Sequence, residues 1–492
     1  MPQSSTTRRH GKACVIGAGP NGLAAAIVLA QAGLDVEVFE AEPTIGGAVR
    51  TMELTLPGFH HDFGSAVHPM AAGSPFFSSL PLEDYGLEWI HSPAPLAHPL
   101  DDGTAVMLER NFPEAEAALG SAAGSEDSDG KAWRSLMEPF ATRWADLTAD
   151  ILRPTVAIPH HPFLLARLGL NALFPATIVA RRHFRSERTR ALFAGLSAHS
   201  FMSLDEPLSA SFGLILGIAA HAVGWPIPRG GAQSIANALA AHLTHLGGRI
   251  TTSTRIRSFS ELPACDLTLC DITPRQLLAL ADQPSANPLS ESYRRQLAAF
   301  KYGPAAFKVD YALSGPIPWN APACLRAATV HVGGSLADIA ASESAMSSGH
   351  HATRPFVLVA QPTVFDHSRA PAGKHIAWAY CHVPNASTDS EAMLDRLERQ
   401  IERFATGFRD CILARRVFSP SALESMDANL IGGDIGGGAF NLRQLLFRPT
   451  WRQYRTSAPN IYLCSSSTPP GGGVHGMCGA NAARMALRNL PR

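Results

Sequence analysis

Ala13 to Glu40, ACVIGAGPNGLAAAIVLAQAGLDVEVFE, carries a strand, a glycine turn, a helix and a second strand in unbroken succession. Apolar Cys14-Val15-Ile16 reads as the first strand and runs straight into Gly17-Ala18-Gly19-Pro20-Asn21-Gly22, a Gly-x-Gly-x-x-Gly turn. Gly17 permits the tight turn, Gly19 leaves room for a pyrophosphate against the backbone, and Gly22 lets the following helix pack close to the strand. That helix carries Leu23 to Gln31 and stops at Gly33; its N-terminal N–H groups and dipole face the phosphates. Asp35 to Phe39 alternates into a second strand ending in Glu40, about twenty residues after the turn, where a carboxylate can accept both ribose hydroxyls and disfavours a 2'-phosphate. A glycine triplet alone is a weak signal. With the strand before, the helix after and the acid at its proper distance, dinucleotide binding is the reading, and NADP is the less suited occupant.

Two further segments select FAD over NAD. Thr44-Ile45-Gly46-Gly47-Ala48-Val49-Arg50 follows the second strand, and paired glycines with a nearby arginine suit a second approach to a long phosphate-bearing cofactor. Near the C-terminus, Ile461 to Ser467 reads as a strand ending in small residues. It leads into Thr468-Pro469-Pro470-Gly471-Gly472-Gly473-Val474-His475-Gly476-Met477-Cys478-Gly479 and a helical run to Arg488. A helix N-terminus there suits a flavin ring, whose N1 and C2 carbonyl gain negative charge on reduction.

These segments resemble the phytoene desaturase-like (phytoene dehydrogenase-related) branch of the flavin amine oxidase superfamily, over nearly the whole chain. The resemblance extends to Gly58–Pro69, Trp225–Gly231, Lys308–Leu313, Trp378–Pro384 and Gly432–Ile435, with His68-Pro69 and GGGVHG its most particular parts. It implies an α/β fold: a Rossmann-like FAD-binding domain (GR2-type) with a discontinuous α+β substrate domain. It also implies cofactor contacts at Gly17, Gly19, Pro20, Gly22, Glu40, Gly47, Arg50, Val67, Ile256, Gly472, Gly473, Val474 and Met477, with Ile256 on the adenine side. Amine oxidases proper carry Gly-Gly-Arg; here Gly46-Gly47 is followed by Ala48 and the arginine stands at position 50, a pattern that fits the desaturase-like branch.

The expected FAD-binding domain comprises 10–85, 226–295 and 425–492, and the substrate domain 86–225 and 296–424. Within the middle FAD segment, Gly231 to Leu246 reads as a helix and Arg249 to Ile256 as a strand. Residues 120–130 and 342–353 read as exposed loops. With 492 residues, 46% hydrophobic and 17% charged, the chain can bury a large core. Zero formal net charge and the lack of a basic block with interleaved aromatics give no basis for nucleic-acid binding. Residues 1–12 hold no apolar signal core, so a short tail and a cytoplasmic protein are expected. The eight cysteines are scattered without a C-x-x-C pair and read as buried small hydrophobes; adjacent histidine pairs do not suit a shared metal. A pyridine-nucleotide disulfide reductase would need a second glycine fingerprint and a redox cysteine pair, and both are missing.

Leu208 to Trp225 reads as a buried helix lining the substrate cavity, with peripheral membrane contact as the alternative. Phe163 to Val179 is apolar and is followed by Arg181, Arg182, Arg185, Arg188 and Arg190. A solvated helix face is the plainer reading of these arginines, and contact with an anionic lipid surface is the other. His68 and His475 are candidate flavin-proximal acid–base groups, each with a packing or capping role as the alternative. Tyr380 completes the catalytic candidates: with Trp378 and His382 it shares one strand face, a candidate cavity wall or a plain core. Lys308 and Asp310 also share a face and read as a structural ion pair. The expected activity is FAD-dependent dehydrogenation or desaturation of a lipophilic, polyene- or carotenoid-like small molecule, with hydride passing to flavin N5. FAD is expected to be noncovalent, and oxygen or a quinone to be the electron acceptor. A redox-neutral flavin-dependent double-bond isomerase and a non-catalytic FAD-binding interaction protein are the alternatives.

Overall fold

The computed structural model describes residues 11–120, 128–154, 157–282 and 288–490. Five short strands form an all-parallel sheet in the order Ile461–Leu463, Leu267–Cys270, Lys12–Ile16, Asp35–Phe39, Arg249–Thr251. The first strand in sequence stands in the middle. Its register sets Ile16 opposite both Phe39 and Cys270, so Gly17, Glu40 and Asp271 leave the sheet side by side at its carboxyl edge, where open α/β sheets bind ligands.

Helix Pro20–Gln31 is buried from Asn21 to Ala30 because its alanines allow three neighbours to approach: the sheet, helix Gln233–His245 and the last helix, Met477–Asn489. The last of these comes so close that a Cβ on Gly479 would stand 1.8 Å from the Asn21 carbonyl oxygen. The two ends of the sequence are thereby packed against each other beside the glycine turn.

A seven-stranded mixed sheet runs Ile412–Phe418, Ala305–Leu313, His375–Val383, Val357–Ala360, Ala327–Val332, Ala94–Pro99, Ala105–Leu108. Ala94–Pro99 pairs in parallel with Ala327–Val332, so segments from before and after the middle nucleotide segment build one sheet. Alternation sorts its two faces. Phe307, Val309, Tyr311, Ala377, Ala379 and Cys381 enter a core closed by helix Ser390–Phe404, whereas Ala306, Leu358, Tyr380 and Phe418 join a second core with helices Glu187–Ala198 and Ser209–Ala222.

Two sequence expectations meet corrections. The strand from Arg249 ends at Thr251 instead of reaching Ile256, because Ser253 adopts φ +54° and the backbone turns to bond Glu40 and Glu42. Residues 342–353 are not one loop: helix Leu336–Ser347 covers the first half. Its polar residues are spent inside the protein, Ser342 accepting the Phe356 N–H at 2.9 Å and Glu343 meeting His382, which composition alone does not show. Phe163 to Val179 divides into helices Pro162–Ala172 and Ala176–His183, bent by 93°. Leu208–Trp225 contains the buried helix Ser209–Ala222. The tail 1–10 and the loop centre 121–127 lie outside the described residues.

Candidate active site

The carboxyl edge of the parallel sheet opens into a cavity of about 380 Å³ lined by Gly17, Gly19, Glu40, Gly47, Arg50 and Ile256, among others. Glu40 is buried, and its two carboxylate oxygens accept the N–H groups of Ala18 at 2.7 Å and Glu42 at 2.9 Å. The carboxylate is thus held at the cavity wall with lone pairs left for ribose hydroxyls. A Cβ on Gly22 would stand 2.0 Å from the Gly17 carbonyl oxygen, which fixes glycine at the helix start immediately after Pro20 and Asn21. Arg50 is not a free cation: its Nε donates to the Gly47 carbonyl at 2.8 Å, its Nη2 to the Met426 carbonyl at 2.5 Å, and its guanidinium lies 5.2 Å above the Phe63 ring. It clamps the paired-glycine loop while contributing positive charge to the wall.

Asp271 follows the strand Leu267–Cys270 and accepts the Gly22 N–H at 2.8 Å. Burial pushes its pKa up to about 8, the Gly22 bond opposes this, and neighbouring Asp427 and Glu40 add to it. The donor of the turn expected to face phosphate is therefore already engaged by a carboxyl group.

Apart from this cavity lies the loop Gly472-Gly473-Val474-His475. The Met477 N–H donates to His475 Nδ1 at 3.0 Å, so His475 caps the last helix. Burial lowers its pKa to about 4 and keeps the ring neutral. Ser74 Oγ donates to the His475 carbonyl at 2.6 Å and ties this loop to the short helix Pro69–Ala72, which begins after His68. His68 is buried too, its pKa pushed down to about 4, and Val67 beside it packs against the second core.

A separate cluster of buried polar groups lies on the face of the seven-stranded sheet that enters the second core. Register places Lys308 opposite Tyr380 and Asp310 opposite Trp378. Lys308 and Asp310 form a fully buried ion pair, and burial pushes the ammonium down and the carboxyl up. Lys308 Nζ stands 5.8 Å from the Trp378 ring centre and 5.2 Å from that of Phe418. His61 lies 3.7 Å from Asp310 and shares a 2.7 Å hydrogen bond with Thr55; burial lowers its pKa to about 3. Asp62 pairs with buried Arg369 at 2.9 Å, and His382 with buried Glu343 at 2.6 Å. Tyr380 stacks on Phe201 with an interplanar angle of 11°, and burial raises its hydroxyl pKa, so it is a phenol at neutral pH.

A family model described as flavin containing amine oxidoreductase matches residues 21–480. The chain belongs to that family. It is an FAD-dependent oxidoreductase. It is 25% identical to pyridine nucleotide-disulfide oxidoreductase domain-containing protein 2 of Rattus norvegicus, over 97% of this chain and 93% of the relative. It is 29% identical to the lycopene-forming phytoene desaturase of Pseudescherichia vulneris over a shorter stretch, 26% of this chain and 27% of that one. Its fold is similar to that of a solved Methanosarcina mazei oxidoreductase, with TM-score 0.66 and 16% identity, covering 97% of this chain and all of the other.

For this flavoenzyme the structure gathers Gly17, Gly19, Glu40, Gly47, Arg50 and Ile256 at one cavity. Gly472, Gly473, Val474 and Met477 belong to the loop and helix start that Ser74 holds, apart from that cavity. Tyr380 stands on the seven-stranded sheet, within the second core and away from that cavity. Sequence reasoning missed Asp271, Asp427, His61 and the Asp62–Arg369 pair. Asp271 had a local signal, an acid directly after a strand of the middle nucleotide segment; Arg369 had none, since its partners Asp62 and the His60 carbonyl are remote in sequence.

Proposed function

We propose that this flavoenzyme dehydrogenates an uncharged, apolar small molecule of the polyene or carotenoid-like class, with oxygen or a quinone as final electron acceptor. The observation that carries the reading is the face of the seven-stranded sheet that enters the second core. It sets Trp378 and Tyr380 beside Phe201, and the buried carboxylates around it are already matched by cations or imidazoles: Asp310 by Lys308, Asp62 by Arg369, Glu343 by His382. An ammonium substrate would need a carboxylate or an open aromatic cage to replace its hydration, whereas an apolar substrate needs only surface to bury. The partial likeness to a phytoene desaturase points the same way.

The residues fit FAD. Gly17, Gly19, Glu40 and Ile256 would hold the adenosine diphosphate half, and Gly472 to Met477 would carry the ring at a helix N-terminus. Bound FAD supplies the two-electron oxidant, a hydride equivalent passing to N5. His68 is neutral at neutral pH and so is able to accept a proton released by the substrate, whereas His475 spends its Nδ1 lone pair on the Met477 N–H and phenolic Tyr380 is able only to donate. We take the cofactor to be noncovalent. Cys478 is buried and its thiol donates to the Thr468 and Gly471 carbonyls, while burial pushes its pKa up to about 12, which leaves no thiolate to attack the ring.

The test is anaerobic reduction of the purified protein, followed by the visible flavin absorbance while carotenoids, amines, hydroxy compounds and NADPH are added singly. Bleaching by a polyene and not by amines is the expected result, and bleaching by amines alone would overturn the substrate class. Conversion of a polyene to its isomer without bleaching would identify a redox-neutral isomerase.

A further inference from the structure

Helices Pro162–Ala172 and Ala176–His183 turn one face into the second core through Leu164, Leu168, Ala176 and Val179 and leave the other face bare. Ile158 is 87% and Phe163 89% exposed, and Leu170, Leu173, Phe174 and Ile178 are exposed beside them. Single exposed apolar residues are ordinary; six large ones on one short helical knuckle are not. The same stretch is basic in sequence, although Asp150 and Asp146 meet Arg153 and His161 and Asp205 accepts from Thr177. Residues 151–186 hold Arg153, Arg167, Arg181, Arg182 and Arg185 and no Asp or Glu, in a chain whose formal charge is zero. Arg167, Arg181, Arg182 and Arg185 are exposed.

A second bare segment adjoins this one. The carbonyls of Leu173 and Phe174 accept the N–H groups of Leu208 and Ala210, and Phe212, farther along that helix, meets Phe440 edge to face at 4.8 Å. Beyond Phe440 the chain exposes Leu442, Leu446, Phe447 and Trp451 together with Arg443, and residues 435–490 hold no Asp or Glu. Among the described residues no single helix is long and apolar enough to cross a membrane, and the two knuckle helices are bent by 93° at their junction.

We propose that this face docks in the plane of an anionic lipid bilayer, the apolar side chains entering the headgroup–acyl boundary and the arginines meeting lipid phosphates. Paired apolar and basic features are what stable interfacial binding requires, since neither contribution holds a protein at a bilayer by itself. A protein partner would match the apolar patch equally well, but the four exposed arginines Arg167, Arg181, Arg182 and Arg185 favour a surface of repeated negative charge. The proposal stands independently of the substrate class.

The experiment pellets the FAD-loaded full chain with vesicles of phosphatidylcholine alone or mixed with phosphatidylglycerol, reading bound flavin absorbance. Binding to the mixed vesicles that weakens with salt is expected. Phe163→Ser combined with Leu173→Ser should weaken it roughly tenfold or more, since both side chains leave the boundary. Arg181→Gln combined with Arg182→Gln should weaken it about thirtyfold, roughly fivefold for each arginine, on the mixed vesicles only. Both variants change exposed residues and should keep their FAD content and melting temperature. Absence of pelleting with either vesicle, or unchanged pelleting of the serine variant, overturns the proposal. So does a concentration-dependent dimer seen by light scattering that the serine variant dissolves, which would assign the face to a second copy of the chain.

Discussion

The parallel sheet and the seven-stranded sheet both hold buried polar groups, but by different physics. At the parallel sheet, the groups are backbone amides and short loops at strand ends: Glu40 is fixed by the N–H groups of Ala18 and Glu42, and Asp271 by that of Gly22. On the seven-stranded sheet they are side chains matched to side chains, Lys308 with Asp310 and His382 with Glu343, each sealed from water. The first arrangement depends on close backbone approach and tolerates no added atoms. The second depends on charge balance in a medium where an unmatched charge is costly.

Gly22→Ala is the largest expected break. Its methyl would meet the Gly17 carbonyl at 2.0 Å, so the turn must open, and flavin should be lost from the purified protein, as measured by absorbance after gel filtration. On the other sheet, Lys308→Met leaves Asp310 uncompensated and should destabilise the protein by about 3–5 kcal/mol in urea denaturation. Lys308→Met combined with Asp310→Leu should recover most of that loss. Recovery in the double variant is what separates charge balance from packing.

Within the parallel-sheet region, pH separates two buried groups by sign. His475 is neutral in the fold with a pKa of about 4, below its ordinary 6.5. Its contribution is therefore complete above about 6.5 and is lost as pH falls towards 4, because the unfolded chain binds the proton first. Removing this titration with His475→Gln should flatten the acid limb of the stability profile by up to about 3 kcal/mol. Asp271 behaves oppositely. Its folded pKa of about 8 lies above the ordinary 3.8, so the folded state holds a proton the unfolded state has lost, and stability falls as pH rises between these values. Asp271→Asn keeps an acceptor for Gly22 and should gain about 1–3 kcal/mol at pH 8 and less at pH 5, read from melting of the flavin-free protein. A variant with an unchanged pH profile would show that Asp271 is ionised in the fold.

Legibility in the sequence follows the same division. The first strand, the glycine turn, Glu40 and the last helix were readable because each depends on neighbours within a few residues: period-two apolar alternation, glycines at fixed offsets, an acid at the strand end. Tyr380, Trp378 and His382 were placed on one face by alternation alone. Helix Leu336–Ser347 was partly missed because its serines and Glu343 look solvated until Phe356 and His382 are brought against them. The Asp62–Arg369 pair, like the clamp of Arg50 on Met426, joins residues far apart in the chain, and no local pattern announces it.

The sequence by itself determined a nucleotide-binding Rossmann-like region, its preference for FAD and the family to which the chain belongs, because those depend on short segments whose spacing is set by strand, turn and helix geometry. Tertiary structure alone decided that Arg50 clamps a loop, that His475 caps a helix as a neutral ring, that Asp271 occupies the Gly22 amide and that the buried charges around the seven-stranded sheet are matched. Each of these outcomes rests on burial and on partners supplied by distant segments, and desolvation is a property of the packed molecule that no window of sequence contains.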